Sequence, residues 1–83
     1  MGAVLFAVSD KTRWKILEKI STGAICACEL PAFAHVSQPA VSQHLKVLRE
    51  AKLVRVRTEG VKRIYSLSDL GERVLVDVSG WEP

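Results

Sequence analysis

Eighty-three residues, 48 % of them hydrophobic and 25 % charged, make one small domain, 1–83, and leave no room for a multidomain enzyme with its own cofactor fold. No apolar run approaches the ~20 residues of a membrane span, Met1–Val8 lacks the basic start of a secretory signal, and two cysteines are too few for a disulfide framework. The net charge of +3 is unevenly spread: residues 37–63 hold seven basic against two acidic side chains, and residues 64–83 hold one against four.

That basic middle makes a polyanion the natural partner, although a charge run is also the ordinary form of a solvated face. So small a core makes dimerisation an expected source of further stability.

A short apolar helix is predicted over Ala3–Val8. Ser9 or Asp10 can then cap a second helix by accepting hydrogen bonds from its orphaned amides. Trp14, Leu17 and Ile20, widened by Ile16, form its apolar stripe, and Thr22-Gly23 ends it. A third helix is expected over Ala24–Ala34. Pro31 confines its regular part to about Glu29 onward, since a proline deep in a helix costs about 3 kcal/mol. Ser37 caps a fourth helix, with Pro39 tolerated in the first turn. There Val41, Leu45 and Leu48 are spaced for burial, and Ser42, Gln43 and Lys46 lie away from them.

Val54-Arg55-Val56-Arg57 alternates apolar and basic, as a half-buried strand does. Thr58-Glu-Gly60 is a turn, and Lys62–Leu67 alternates again, so a β-hairpin with a basic tip results. Ser68 caps a last helix ending near Gly80. The expected class is mainly α with a small β-hairpin, in the order helix-helix-helix-helix-β-β-helix.

Two short helices joined by a tight turn, the second carrying Ser, Gln and Lys outward, describe a helix-turn-helix, and the hairpin supplies a wing. The amides of Gln38 and Gln43 suit bidentate bonds to adenine in the major groove. Ser37, Ser42 and Lys46 suit phosphates or base edges, and Arg57, Lys62 and Arg63 suit the backbone or the minor groove. His44, beside the apolar stripe, reads as a packed or phosphate-contacting histidine. His35 reads as a turn residue, Trp14 as core, and Trp81 as partly exposed or covering a dimer seam.

Three segments, Ser9-Asp-Lys-Thr-Arg-Trp-Lys-Ile-Leu17, Cys26-Ala-Cys-Glu-Leu30 and Ser37-Gln-Pro-Ala-Val-Ser-Gln-His-Leu45 continuing to Val54, together resemble the ArsR/SmtB family of winged-helix repressors over nearly the whole chain. The resemblance implies a cytoplasmic homodimer, joined through its first and last helices. It implies that double-stranded operator DNA is held without inducer and released when a metal or another signal binds.

Cys26-Ala-Cys28 resembles the cysteine segment of the family's arsenic and cadmium/lead sensors, which implies Cys26 and Cys28 as ligands for a thiophilic inducer. Thiolates suit As(III), Cd(II), Pb(II), Hg(II) or Zn(II). In a regular helix residues two apart point about 200° from each other, so binding through both requires this turn to distort. The arsenic-sensing pattern has a further cysteine where this chain has Pro31, and the last helix carries carboxylates without histidine. Two thiolates satisfy Hg(II), or As(III) completed by hydroxide, whereas tetrahedral zinc needs other donors. His35 lies about 10 Å further along if the helix continues.

The cysteines have two other readings: small core residues, or a thiol redox switch. The whole chain likewise has two others, a redox-responsive or ligand-independent repressor on the same fold, and a winged-helix protein-interaction module. No Ser/His/Asp set, carboxylate pair or phosphate loop is present, so no enzyme is expected.

Overall fold

The computed structural model describes residues 2–79, with side chains as far as Asp77. Five helices, α1 (Gly2–Val8), α2 (Lys11–Ser21), α3 (Leu30–Ala34), α4 (Gln38–Glu50) and α5 (Asp69–Ser79), surround a three-stranded antiparallel sheet. Its strands are β1 (Ile25–Cys26), β2 (Val54–Glu59) and β3 (Lys62–Leu67), in the order β1-β3-β2.

Of the two cap candidates for α2, Asp10 is used. Its carboxylate accepts the Arg13 N–H at 2.9 Å, which satisfies one amide left without a partner in the first turn. Ile16, Leu17 and Ile20 bury the inner face of α2, while Trp14 is half-buried at its margin. Ser37 caps α4 through the Ala40 N–H, and Val41, Leu45 and Leu48 pack into the common core. Ser68 caps α5 by accepting the Gly71 N–H, and its hydroxyl donates to the Lys52 carbonyl. Gly71 lets α5 lie against the chain at Leu53, because a Cβ there would run into the Leu53 carbonyl oxygen. The expected end near Gly80 and the reading of Trp81 lie outside the described residues.

The hairpin pairs Val54 with Leu67 and Glu59 with Lys62 across a two-residue tip, Gly60-Val61, so Thr58 and Glu59, expected in the turn, continue β2 because they find partners in Arg63 and Lys62. Gly60 takes a left-handed φ of 62°, as a tight hairpin turn requires.

The stretch expected to be helical from Ala24 is not. Ile25 and Cys26 pair with Tyr65 and Ile64 of β3, a single 3-10 turn follows at Ala27–Glu29, and only Leu30–Ala34 is α-helix. The physical reason is the edge of β3. Its backbone groups offer partners at a distance in sequence, and two residues of strand cover that edge. Pro31 sits in the first turn of α3, where its missing N–H costs nothing, and His35, left-handed at φ 58°, ends the helix.

Candidate nucleic-acid interface

The outward face of α4 carries Gln38, Ser42, Gln43, Lys46 and Arg49, all exposed. Gln38, Ser42, Lys46 and Arg49 recur at helical spacing and line one side of an open cleft of about 790 Å³. Lys62 and Arg63 of the hairpin line another side, and Cys26, Ala27 and Cys28 form part of its wall. Four cations therefore surround the cleft, with Glu50 the one carboxylate among its lining residues.

Five of the nine residues expected at a DNA surface, Gln38, Ser42, Lys46, Lys62 and Arg63, share this cleft. Gln43 is exposed on α4 outside the cleft lining. Ser37 stands at the start of α4, where its oxygen is taken up by the cap. Arg57 is tied along its own strand to Glu59, with Nη2 at 3.0 Å and Nε at 3.1 Å from the same carboxylate oxygen. His44 is half-buried, and its Nδ1 lies 3.4 Å from the Arg13 guanidinium.

Arg49 belongs with the cleft, and the signal was in the sequence: it stands three residues beyond Lys46 on the same helix face. Arg13 had no such signal. Its guanidinium is buried, donates to the Ala7 and Phe6 carbonyls at 3.0 Å each, and stacks over the Phe6 ring at 4.8 Å. It caps the end of α1 with positive charge, favourable at a helix C-terminus, and meets α4 at His44.

The cysteine turn differs from the helical geometry expected. Extended backbone at Cys26 leads into the 3-10 turn, which brings both sulfurs to one side, and the two residues are joined as a disulfide with their Cα atoms 5.2 Å apart. Cys26 is buried at 7 % exposure, while Cys28 is exposed. The Cys28 N–H donates to the Cys26 sulfur at 3.2 Å. Cys26 is also held beside the wing, since it pairs with Ile64 next to Arg63. Among the described residues no group of three or more His, Cys, Asp or Glu side chains is arranged to hold a metal ion.

A helix with exposed polar and basic side chains, backed by the other helices and flanked by a basic two-stranded hairpin, defines a winged helix-turn-helix domain. Residues 10–56 match the family model described as bacterial regulatory protein, arsR family. The HTH-type transcriptional regulator Rv2034 of Mycobacterium tuberculosis is 46 % identical over 65 residues, 78 % of this chain and 61 % of that protein. The arsenical resistance operon repressor of Staphylococcus xylosus is 38 % identical over 68 residues, 82 % of this chain and 65 % of that protein. The chain thus spans under two thirds of the length of these two relatives. Among solved structures, NolR from Sinorhizobium fredii superposes with a TM-score of 0.85 at 30 % identity, covering 95 % of this chain and 80 % of NolR. The chain belongs to the arsR family of bacterial regulatory proteins, which are transcriptional regulators and not enzymes.

Proposed function

We propose that this domain is a cytoplasmic, homodimeric repressor that holds operator DNA and releases it when a thiophilic ion binds the reduced thiols of Cys26 and Cys28. In this reading α4 enters the major groove, where Gln38 and Gln43 reach base edges. Lys46, Lys62 and Arg63 meet phosphates.

One observation carries the reading: the cysteine turn and the α4–wing cations wall the same cleft. A change at the turn therefore acts where DNA would lie. The turn is also tied to β3 through Cys26 and Ile64, and leads through α3 into α4.

The residues fit a two-thiolate ligand. Both sulfurs lie on one side of a short turn, which suits Hg(II), or As(III) completed by hydroxide. Tetrahedral Zn(II), and the higher coordination usual for Cd(II) and Pb(II), need donors from elsewhere. The arsenical resistance operon repressor among the relatives favours As(III). Binding requires the dithiol, so the ion and the disulfide exclude one another. Such a ligand must bind the low-affinity state better than the DNA-bound state, and DNA must weaken its binding by the same factor, with about 1–3 kcal/mol of coupling an ordinary value.

Dimerisation is supported by apolar side chains left uncovered on the first and last helices, Phe6 at 61 % and Val76 at 71 % exposure. They suit an isologous contact between two copies.

The test is a titration of reduced protein with As(III), Cd(II), Pb(II), Hg(II) and Zn(II), with operator-like DNA followed by anisotropy. Release by one ion, abolished by Cys26→Ser or Cys28→Ser, is the expected result. No release by any ion would overturn ion sensing. A second reading, release on oxidation, is favoured by the disulfide itself and is separated by comparing DNA affinity of the oxidised and reduced chain without metal. DNA binding that weakens steeply with salt separates both from a protein-interaction module.

A further inference from the structure

Sensing by a reduced thiol pair leaves unexplained why the oxidised pair is so unsymmetrical. Cys28 is exposed on the cleft wall and Cys26 is buried. The N–H of Cys28 already points at the Cys26 sulfur. Exchange proceeds by attack of a thiolate on one sulfur of a disulfide, and it depends on access to that sulfur and on the leaving thiolate. Here access favours Cys28, and the leaving charge falls on Cys26, whose sulfur has a hydrogen-bond donor in place.

The approach to Cys28 is charged. Lys46, Arg49, Lys62 and Arg63 line the same cleft against Glu50 alone, and a cleft lined by one sign of charge concentrates ligands of the other. A volume of about 790 Å³ lies within the range of small-molecule sites.

We propose that Cys28 is a site of mixed-disulfide formation with a small anionic thiol, whose carboxylates are held by these four cations. The thiol gives its proton to solvent. Its sulfur bonds to the Cys28 sulfur as the Cys26–Cys28 bond breaks, and the electron pair leaves on Cys26. One disulfide is exchanged for another with no net oxidation. Cys26, fixed by its pairing with β3, remains alongside as the resolving thiol: its attack on the Cys28 sulfur expels the small thiol and restores the original bond. The adduct occupies the cleft assigned above to DNA phosphates, so it excludes DNA directly. That last consequence rests on the DNA-binding reading, while the exchange itself does not.

The test uses the oxidised full chain with glutathione as the anionic thiol, cysteamine as the cationic one and mercaptoethanol as the neutral one. Each rate is divided by that thiol's rate on a free uncharged disulfide. After alkylation and fragment sequencing, the adduct is expected on Cys28 and the alkyl group on Cys26. The normalised rate for glutathione should exceed that for cysteamine on the order of tenfold at low salt. The preference should vanish near 1 M salt, where screening acts within about 3 Å. An adduct on Cys26, or equal normalised rates at low salt, would overturn the proposal. Lys46→Gln combined with Arg63→Gln should flatten the preference and Glu50→Gln should raise it; these side chains are exposed, and the salt series needs no variant. Operator binding is then compared with and without the adduct. If the adduct forms as described but the unmodified chain binds no DNA either oxidised or reduced, the DNA-binding reading fails and the thiol site stands. If modified and unmodified protein bind DNA equally, exclusion of DNA by the adduct is refuted.

Discussion

Helix α4 and the cysteine turn line one cleft, and they are built in opposite ways. The helix carries its own instructions: a serine cap, a proline in the first turn and three buried residues at helical spacing. The turn has almost none. Two residues of strand and one 3-10 turn hold it, and its shape depends on β3. In the proposed function the helix is the rigid platform and the turn is the element a ligand resets, which suits its lack of regular structure of its own.

The largest effect is expected from weakening the core beneath α4. Leu48 is fully buried in the core, so Leu48→Ala should cost about 2–5 kcal/mol in denaturant unfolding and reduce DNA binding by loss of fold. Next comes the link between α1 and α4. Arg13→Met keeps the bulk but strands the Ala7 carbonyl, while the Phe6 carbonyl keeps the Ser9 hydroxyl as a donor, and about 1–3 kcal/mol should be lost by the same measurement.

Gln43→Ala should leave the fold unchanged and relax sequence preference, with about 1–3 kcal/mol of discrimination lost at one base pair, read by anisotropy on a set of single-base operator variants. Asp10→Asn sharpens the account of how α2 starts. The Asp10 carboxyl is held below its ordinary value of 3.8, chiefly by the Arg13 N–H it accepts; burial opposes this, and the charges of Arg13 and His44 and the Thr12 N–H add to the lowering. A lowered native pKa means the charged cap stabilises the fold above the unfolded pKa and loses that contribution as pH falls through the native one. The gap between wild type and Asp10→Asn should therefore be largest near neutrality, under about 1 kcal/mol, and close in acid. Thermal unfolding at several pH values checks it.

The smallest effect separates two wing cations. Lys62→Ala should weaken binding to all sequences alike and lower the salt slope by about one. Arg57→Ala should do less, because Arg57 is already occupied by Glu59. Equal slopes for the two variants would show that the Arg57–Glu59 pair opens on DNA.

Most of the platform could be read along the chain. Asp10, Ser37 and Ser68 each cap the helix that follows, and the Val54–Leu67 hairpin turns at Gly60. Arg49 was within reach too, one helical step from Lys46. Arg13 was not, because a charged residue near a helix start reads as solvated until the carbonyls of α1 are seen to surround it. His44 was legible as a residue beside the apolar stripe, but its meeting with Arg13 was not.

Residues 24–29 mark the boundary between the two kinds of information. Caps, turns and apolar periodicity act over three or four neighbours, so they survive in any context, and they alone decided α2, α4, the hairpin and the basic face. The strand at Ile25–Cys26 exists because β3, some forty residues on, presents an edge whose backbone groups need partners. That long-range pairing, and not local preference, turned two cysteines that a helix would have pointed apart into a bonded pair on the wall of the cleft.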